Sequence, residues 1–120
     1  MRTYTAAEAE ATLPALREQL SRIRGSRRAL IASSRRITDA VAADGGGVAG
    51  SEWFGASRQL REDVTDLAER GILLRDPESG LVDFPTEREG RIVFLCWRVD
   101  EEGVTWWHEQ DSGFLGRRAL

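Results

Sequence analysis

Residues 80–118, GLVDFPTEREGRIVFLCWRVDEEGVTWWHEQDSGFLGRR, hold three of the chain's four tryptophans with its single cysteine and single histidine. The stretch reads as β-structure. Arg91 to Val99 is apolar on both faces, as a central strand is, and Val104 to Glu109 supplies a further strand. Just upstream, Ile72-Leu73-Leu74 and Leu81-Val82-Asp83-Phe84 flank Asp76-Pro77-Glu78-Ser79-Gly80. Proline opens that turn and glycine takes the left-handed position that closes it. A four-stranded antiparallel meander is expected over residues 72–109, with 110–120 as a tail.

One turn inside the stretch decides its chemistry. Glu101-Glu102-Gly103 fits a three-residue hairpin loop, a type I turn ending in a left-handed glycine. That loop pairs Asp100 with Val104, Arg98 with Trp106, Trp97 with Trp107 and Cys96 with His108. The only cysteine and the only histidine then lie opposite each other on one face, their β-carbons about 4.5–5.5 Å apart. A four-residue loop would shift the register by one and send them to opposite faces. A thiol beside an imidazole is either a nucleophile with its base or two ligands of a transition metal such as zinc. Asp83, Glu109 or Asp111 could add a carboxylate oxygen, Arg98 an anion clamp and Trp106, stacked on Arg98, the wall of a ligand pocket. The competing reading is a packed thiol beside a hydrogen-bonded histidine, with the tryptophans as core. Arg117 and Arg118, after Gly113-Phe114-Leu115-Gly116, are a candidate anion site. Two arginines at a chain end are more often a solvated terminus.

Working outward toward the amino terminus, the pattern becomes helical. Thr5-Ala6-Ala7-Glu8 has the form of a capping box. Pro14 predicts a kink or a restart, because its ring clashes with the preceding turn and it has no N–H. Ala6, Ala9, Leu13, Leu16, Leu20, Ile23, Arg27, Leu30, Ser34, Ile37 and Val41 then step by three and four, the seam of a long packed helix. A kinked helix is expected over 5–43 and a glycine linker at Asp44-Gly45-Gly46-Gly47. A second helix over 51–70 is capped by Ser51 and buried through Trp53, Leu60, Val64 and Leu67. Gly71 and Ile72 read as the C′ and C″ positions of a Schellman motif closing on Leu67. The fold class is α+β: a long antiparallel helical hairpin packed with a small carboxyl-terminal meander, one domain over residues 1–120.

The balance of 17 basic and 20 acidic residues, net −3, gives no broad pull toward nucleic acid or an anionic membrane. Arg22, Arg24, Arg27, Arg28, Arg35 and Arg36 are locally basic but lack interleaved aromatics or a groove-reading motif, so a solvated helix face is expected. A single cysteine, no apolar leader and no long apolar run point to the cytoplasm.

Taken in order, YTAAEAEATLPAL, RDPESGLVDFP, LCWR, WWHE and GFLGRR resemble a group of small bacterial proteins catalogued as domain of unknown function 2203. The resemblance spans nearly the whole chain. It implies a small bacterial cytosolic protein with helices first and the motif-rich part last, and it carries over no activity and no site residue. The leading functional expectation is a non-enzymatic interaction or scaffold protein, homodimeric through its helices. The alternative is a metal- or small-ligand-binding protein with hydrolytic potential, its site on the last β-hairpin.

Overall fold

The structure, a computed structural model, describes residues 1–44 and 50–120, with the side chains of residues 37, 40–44, 50 and 51 left aside. Reciprocal hydrogen bonds open the first helix, α1 (Ala6–Asp44). The Glu8 amide donates to Thr5 Oγ1 at 3.1 Å, and the Thr5 amide to Glu8 Oε1 at 2.8 Å. This is the expected capping box. No restart occurs at Pro14, which lies inside one 39-residue helix. Leu13 and Leu16, on either side of it, are both buried in the core. Their packing outweighs the single backbone bond that proline removes.

The predicted seam is buried from Ala9 through Leu13, Leu16 and Leu20 to Ile23. Ala6 is exposed instead, and beyond Ile23 burial passes to Ser26 and Ser33 while Ser34 faces outward. At about 100° per residue, Ser26 and Ser33 lie one residue around the helix from Arg27 and Ser34, so beyond Ile23 the buried stripe turns to an adjacent face of α1. The glycine linker after Asp44, the Ser51 cap and the seam positions Ile37 and Val41 fall outside what is described.

Helix α2 (Gly50–Glu69) ends as its sequence predicts. The Ile72 amide donates to the Leu67 carbonyl at 3.0 Å and the Gly71 amide to the Ala68 carbonyl at 3.0 Å. Gly71 takes φ 72°, and Leu67 and Ile72 are both buried. Between the helices one expectation fails: Val64 is exposed and Asp63 takes the buried place. A buried carboxylate is tolerable only when paired. Here Arg22 donates to it through Nε at 3.3 Å and Nη2 at 3.1 Å, and Gln59 Nε2 at 3.0 Å. Gln19, also buried, donates to the Asp63 carbonyl at 3.0 Å and to Asp66 Oδ2 at 2.9 Å.

The sheet contains β1 (Leu73–Asp76), β2 (Leu81–Arg88), β3 (Arg91–Arg98), β4 (Trp106–His108) and β5 (Arg118–Ala119), ordered β1-β2-β3-β4-β5. All neighbours are antiparallel and β3 is central, as expected. Gly80 closes the β1–β2 loop at φ 70°. The fifth strand corrects the sequence reading, which left 110–120 as a tail. Arg118 and Ala119 pair with Trp107 and Trp106, covering the outer edge of β4 that would otherwise expose unpaired backbone groups.

Successive strand residues point to opposite faces. Val82 and Phe84, Val93, Leu95 and Trp97, and Trp107 form one face and join the α1 seam in a single core. Tyr4 packs edge-on against Phe84 with ring centroids 5.2 Å apart, and its hydroxyl donates to the Arg70 carbonyl at 2.6 Å. Asp83, Cys96 and His108 belong to the other face, away from the helices.

Candidate metal centre on the open face of the sheet

The three-residue turn at Glu101-Glu102-Gly103 does not form. Strands β3 and β4 pair as Phe94 with His108, Leu95 with Trp107 and Cys96 with Trp106. Every expected partner is therefore displaced by two residues. The cause is tertiary. Arg17 of α1 donates to the carbonyls of Val99 at 2.6 Å, Glu101 at 2.8 Å and Glu102 at 2.9 Å. Glu10 Oε2 accepts the Val104 amide at 2.7 Å. Held by α1, the segment from Val99 to Thr105 forms a wide loop. Gly103 is not left-handed; a Cβ there would lie 2.6 Å from Glu10 Oε1, so the glycine makes room for that carboxylate.

A displacement of two preserves the faces. Cys96 and His108 remain on one side of the sheet, now diagonal rather than opposite. The neighbouring pair supplies the third group, because β2 and β3 place Asp83 directly across from Cys96. A ring nitrogen of His108, Cys96 Sγ and an Asp83 carboxylate oxygen all lie within 4.8 Å of one another, and all three residues are buried.

The hydrogen bonds fix which atoms face inward. His108 Nδ1 lies 2.7 Å from the Glu109 carbonyl, which can only accept, so Nδ1 carries a proton. Nε2 is then left facing both Asp83 oxygens, each at 3.0 Å. An imidazole lone pair against a carboxylate requires a positive charge between them, either a proton or a metal ion. Arg75 Nε donates to Asp83 Oδ2 at 2.8 Å. Arg75 stands at the bulge of β1, the extra residue between the pairs Leu74–Val82 and Asp76–Leu81, and the bulge aims it at this face. Burial first, then the negative charge of Asp83, push the Cys96 thiol up to about 12. Without a cation it is protonated at neutral pH, and His108 Nε2 is turned to Asp83 rather than to Sγ. Both features argue against the nucleophile–base pair.

These groups floor a cavity of about 290 Å³ whose wall includes Gln110, Ser112 and Phe114. Phe114 is fixed between two guanidinium groups, with Arg98 4.9 Å and Arg117 4.5 Å from its ring centroid.

Of the sequence candidates, the fold brings Asp83, Cys96 and His108 together and sends the others elsewhere. Glu109 contributes its backbone carbonyl; its carboxylate is bonded to Arg91, which holds it below the usual range. Arg98 donates to Asp100 Oδ1 at 2.6 Å and lies outside the cavity wall. Trp106 stacks with Arg117 at 4.9 Å, not with Arg98. Arg117 and Arg118 do not form a joint anion site: Arg117 donates to Glu101 Oε2 at 2.6 Å, while Arg118 lies over Trp107 at 5.2 Å. Asp111 is exposed and apart from the cluster. Arg75, Gln110, Ser112 and Phe114 escaped the sequence reading. Only Arg75 left a signal, two residues past Leu73 on the Asp83 face.

The locally basic run on α1 is largely matched by acids. Arg22 bonds to Asp63, Arg27 and Arg28 to Glu78, and Arg36 to Glu52. No helix among the described residues is long and apolar enough to cross a membrane. Residues 2–120 match the family model described as "Uncharacterized conserved protein (DUF2203)". No curated protein and no solved structure matches the chain.

Proposed function

The chain belongs to the DUF2203 family, and from its own geometry we propose that it binds a divalent transition-metal ion through His108 Nε2, the Asp83 carboxylate and the Cys96 thiolate. The observation that carries this reading is the fixed Nδ1 proton of His108. It turns the other ring nitrogen, as a ligand, toward the buried Asp83 carboxylate, in a cluster whose third ligand atom is the buried Cys96 sulfur. Metal-ligating histidines characteristically donate their second ring N–H to a carbonyl or carboxylate in this way. Zinc–ligand bonds of about 2.0–2.3 Å in tetrahedral geometry place ligand atoms about 3.3–3.8 Å apart. His108 Nε2 and Asp83, 3.0 Å apart, would open slightly, while Cys96 Sγ, within 4.8 Å, would close by up to about an ångström.

Nitrogen, sulfur and carboxylate ligands suit zinc. Three protein ligands leave one coordination position, toward the cavity, as in catalytic rather than structural zinc sites. Binding of a small ligand at that position is the function proposed, and hydrolysis is the reaction class it would serve. A reducing cytosol fits a lone thiol kept as a ligand. Elemental analysis of untagged protein purified without chelator tests the reading. Near-stoichiometric metal, lost in Cys96→Ser, is expected; wild-type protein that stays metal-free after incubation with zinc overturns it.

A second reading concerns assembly: two copies pair their helical hairpins as a homodimer scaffold. Its support is apolar surface on the outer half of the hairpin, where Ile31 is 51% and Phe54 63% exposed. Burying such residues against a second copy would couple dissociation to unfolding, so the melting temperature should rise with protein concentration. Melting independent of concentration over a hundredfold range would sink it.

A further inference from the structure

If the cavity takes a ligand, the charges around it determine which kind. We infer that the position beside the metal binds a small oxyanion, a carboxylate or phosphate, gripped on its far side by Arg75; this rests on the metal reading above. A divalent ion is neutralised by the Cys96 thiolate and the Asp83 carboxylate, and neutral His108 adds nothing. Asp83 is the only acid in the cavity wall among the described residues, and its charge is already counted against the metal. Arg75 therefore leaves the loaded site with one surplus positive charge.

The geometry of Arg75 suits it to use that charge on a ligand. Its Nε is bonded to Asp83, and among the described residues its two Nη nitrogens have no acceptor. The guanidinium carbon sits 5.1 Å from the Phe94 ring centroid, a cation–π contact that helps hold the fork in place. The side chain is 43% exposed and belongs to the cavity wall. A planar fork with two free donors matches a carboxylate or phosphate edge. Leu81 and Phe114 complete the wall with apolar surface, which favours an anion carrying a short apolar group. At about 290 Å³ the cavity lies at the lower bound of small-molecule sites.

Cobalt(II)-loaded protein makes the two levels separable. Visible absorption bands that require Cys96 report the metal; their shift on adding benzoate, acetate or inorganic phosphate reports the anion. Saturable shifts are expected with benzoate tighter than acetate, and phosphate measured beside them distinguishes the two oxyanions. The neutral analogue benzyl alcohol should be at least tenfold weaker than benzoate. Arg75→Gln should keep the cobalt bands and lose tenfold or more in benzoate affinity, and Arg75→Lys should recover part of it. Cobalt bands that no anion moves, benzyl alcohol as tight as benzoate, or unchanged benzoate affinity in Arg75→Gln would each overturn the inference and leave the metal reading standing. Failure of cobalt to bind through Cys96 is instead the failure of that reading.

Discussion

The two faces of the sheet are built from alternate residues of the same strands, yet they follow opposite rules. Toward the helices, Val82, Phe84, Leu95, Trp97 and Trp107 meet the α1 seam and carry no charge. On the other face the buried residues include an aspartate, a histidine and a thiol, 2%, 3% and 1% exposed. A single strand thus alternates between residues that hold the fold and residues whose burial costs free energy unless each finds a partner. The cover differs as well. One face is closed by a long helix, the other by a short tail pinned through Phe114, and the cavity lies under the tail. The polar face is where substitution should cost binding rather than folding.

The largest expected effect tests that division. Trp97 is fully buried on the helix face, and Trp97→Ala should cost about 3–5 kcal/mol. Cys96→Ser, its neighbour on the other face, should cost the metal-free protein only about 1 kcal/mol, because the new hydroxyl can donate to Asp83 as the thiol does, while removing metal binding. Urea denaturation of both variants, measured in chelator, checks the comparison. Equal losses would mean that the polar face is simply core. A reactivity measurement sharpens the same point. With its pKa raised to about 12, mainly by burial, the metal-free folded thiol stays protonated where an ordinary thiol at 9.0 ionises. Its preference for the protonated form adds stability below pH 9 that is lost as pH rises toward 12. Alkylation at pH 8 should therefore be slow in the folded apo protein and fast in urea.

His108→Ala comes next. It removes the metal ligand and leaves buried Asp83 with Arg75 alone, so loss of metal with about 1–3 kcal/mol of destabilisation is expected. Asp83→Asn in the same background should recover part of that loss, because a neutral amide needs less compensation than a carboxylate. No recovery would show that the cost comes from the cavity left by the ring.

Much of this contrast was legible in the sequence, and its limits have physical causes. The α+β class, the Thr5–Glu8 cap, the Schellman end at Gly71 and the central strand were readable because neighbouring residues set them. The β3–β4 turn was not. Its geometry depends on Arg17 and Glu10, more than eighty residues away along the chain, and local turn chemistry cannot anticipate a helix that donates to the loop. Cys96 and His108 were still placed on one face because the error was even in a structure of period two. Asp83 was available as a candidate carboxylate, but only the β2–β3 pairing sets it opposite Cys96. Alternation from Leu73 put Arg75 on a definite face, but only the β1–β2 pairing shows that this face is Asp83's. Val64 and Asp63 changed places through a network spanning both helices.

The smallest expected effect lies at the start of α1, the element that closes the helix face. Thr5→Ala removes one half of the capping box and should cost about 1 kcal/mol. The accompanying pH effect runs in one direction only. Hydrogen bonding by the Thr5 amide and then its hydroxyl holds the Glu8 carboxyl below its ordinary value of 4.5. A lowered folded-state value means that the bond's contribution is complete above about pH 4.5 and fades as pH falls through the folded value. Thr5→Ala keeps the amide and loses the hydroxyl, so its deficit in thermal stability should narrow only in part between pH 7 and pH 3, the Glu8 N–H···Oγ1 half of the box being independent of pH. Metal content at pH 7 should be unchanged in Thr5→Ala, since no atom of the cap reaches the polar face. A cap variant that lost both stability and metal would show the two faces to be one cooperative unit, and the division between holding the fold and holding the ligand would fall with it.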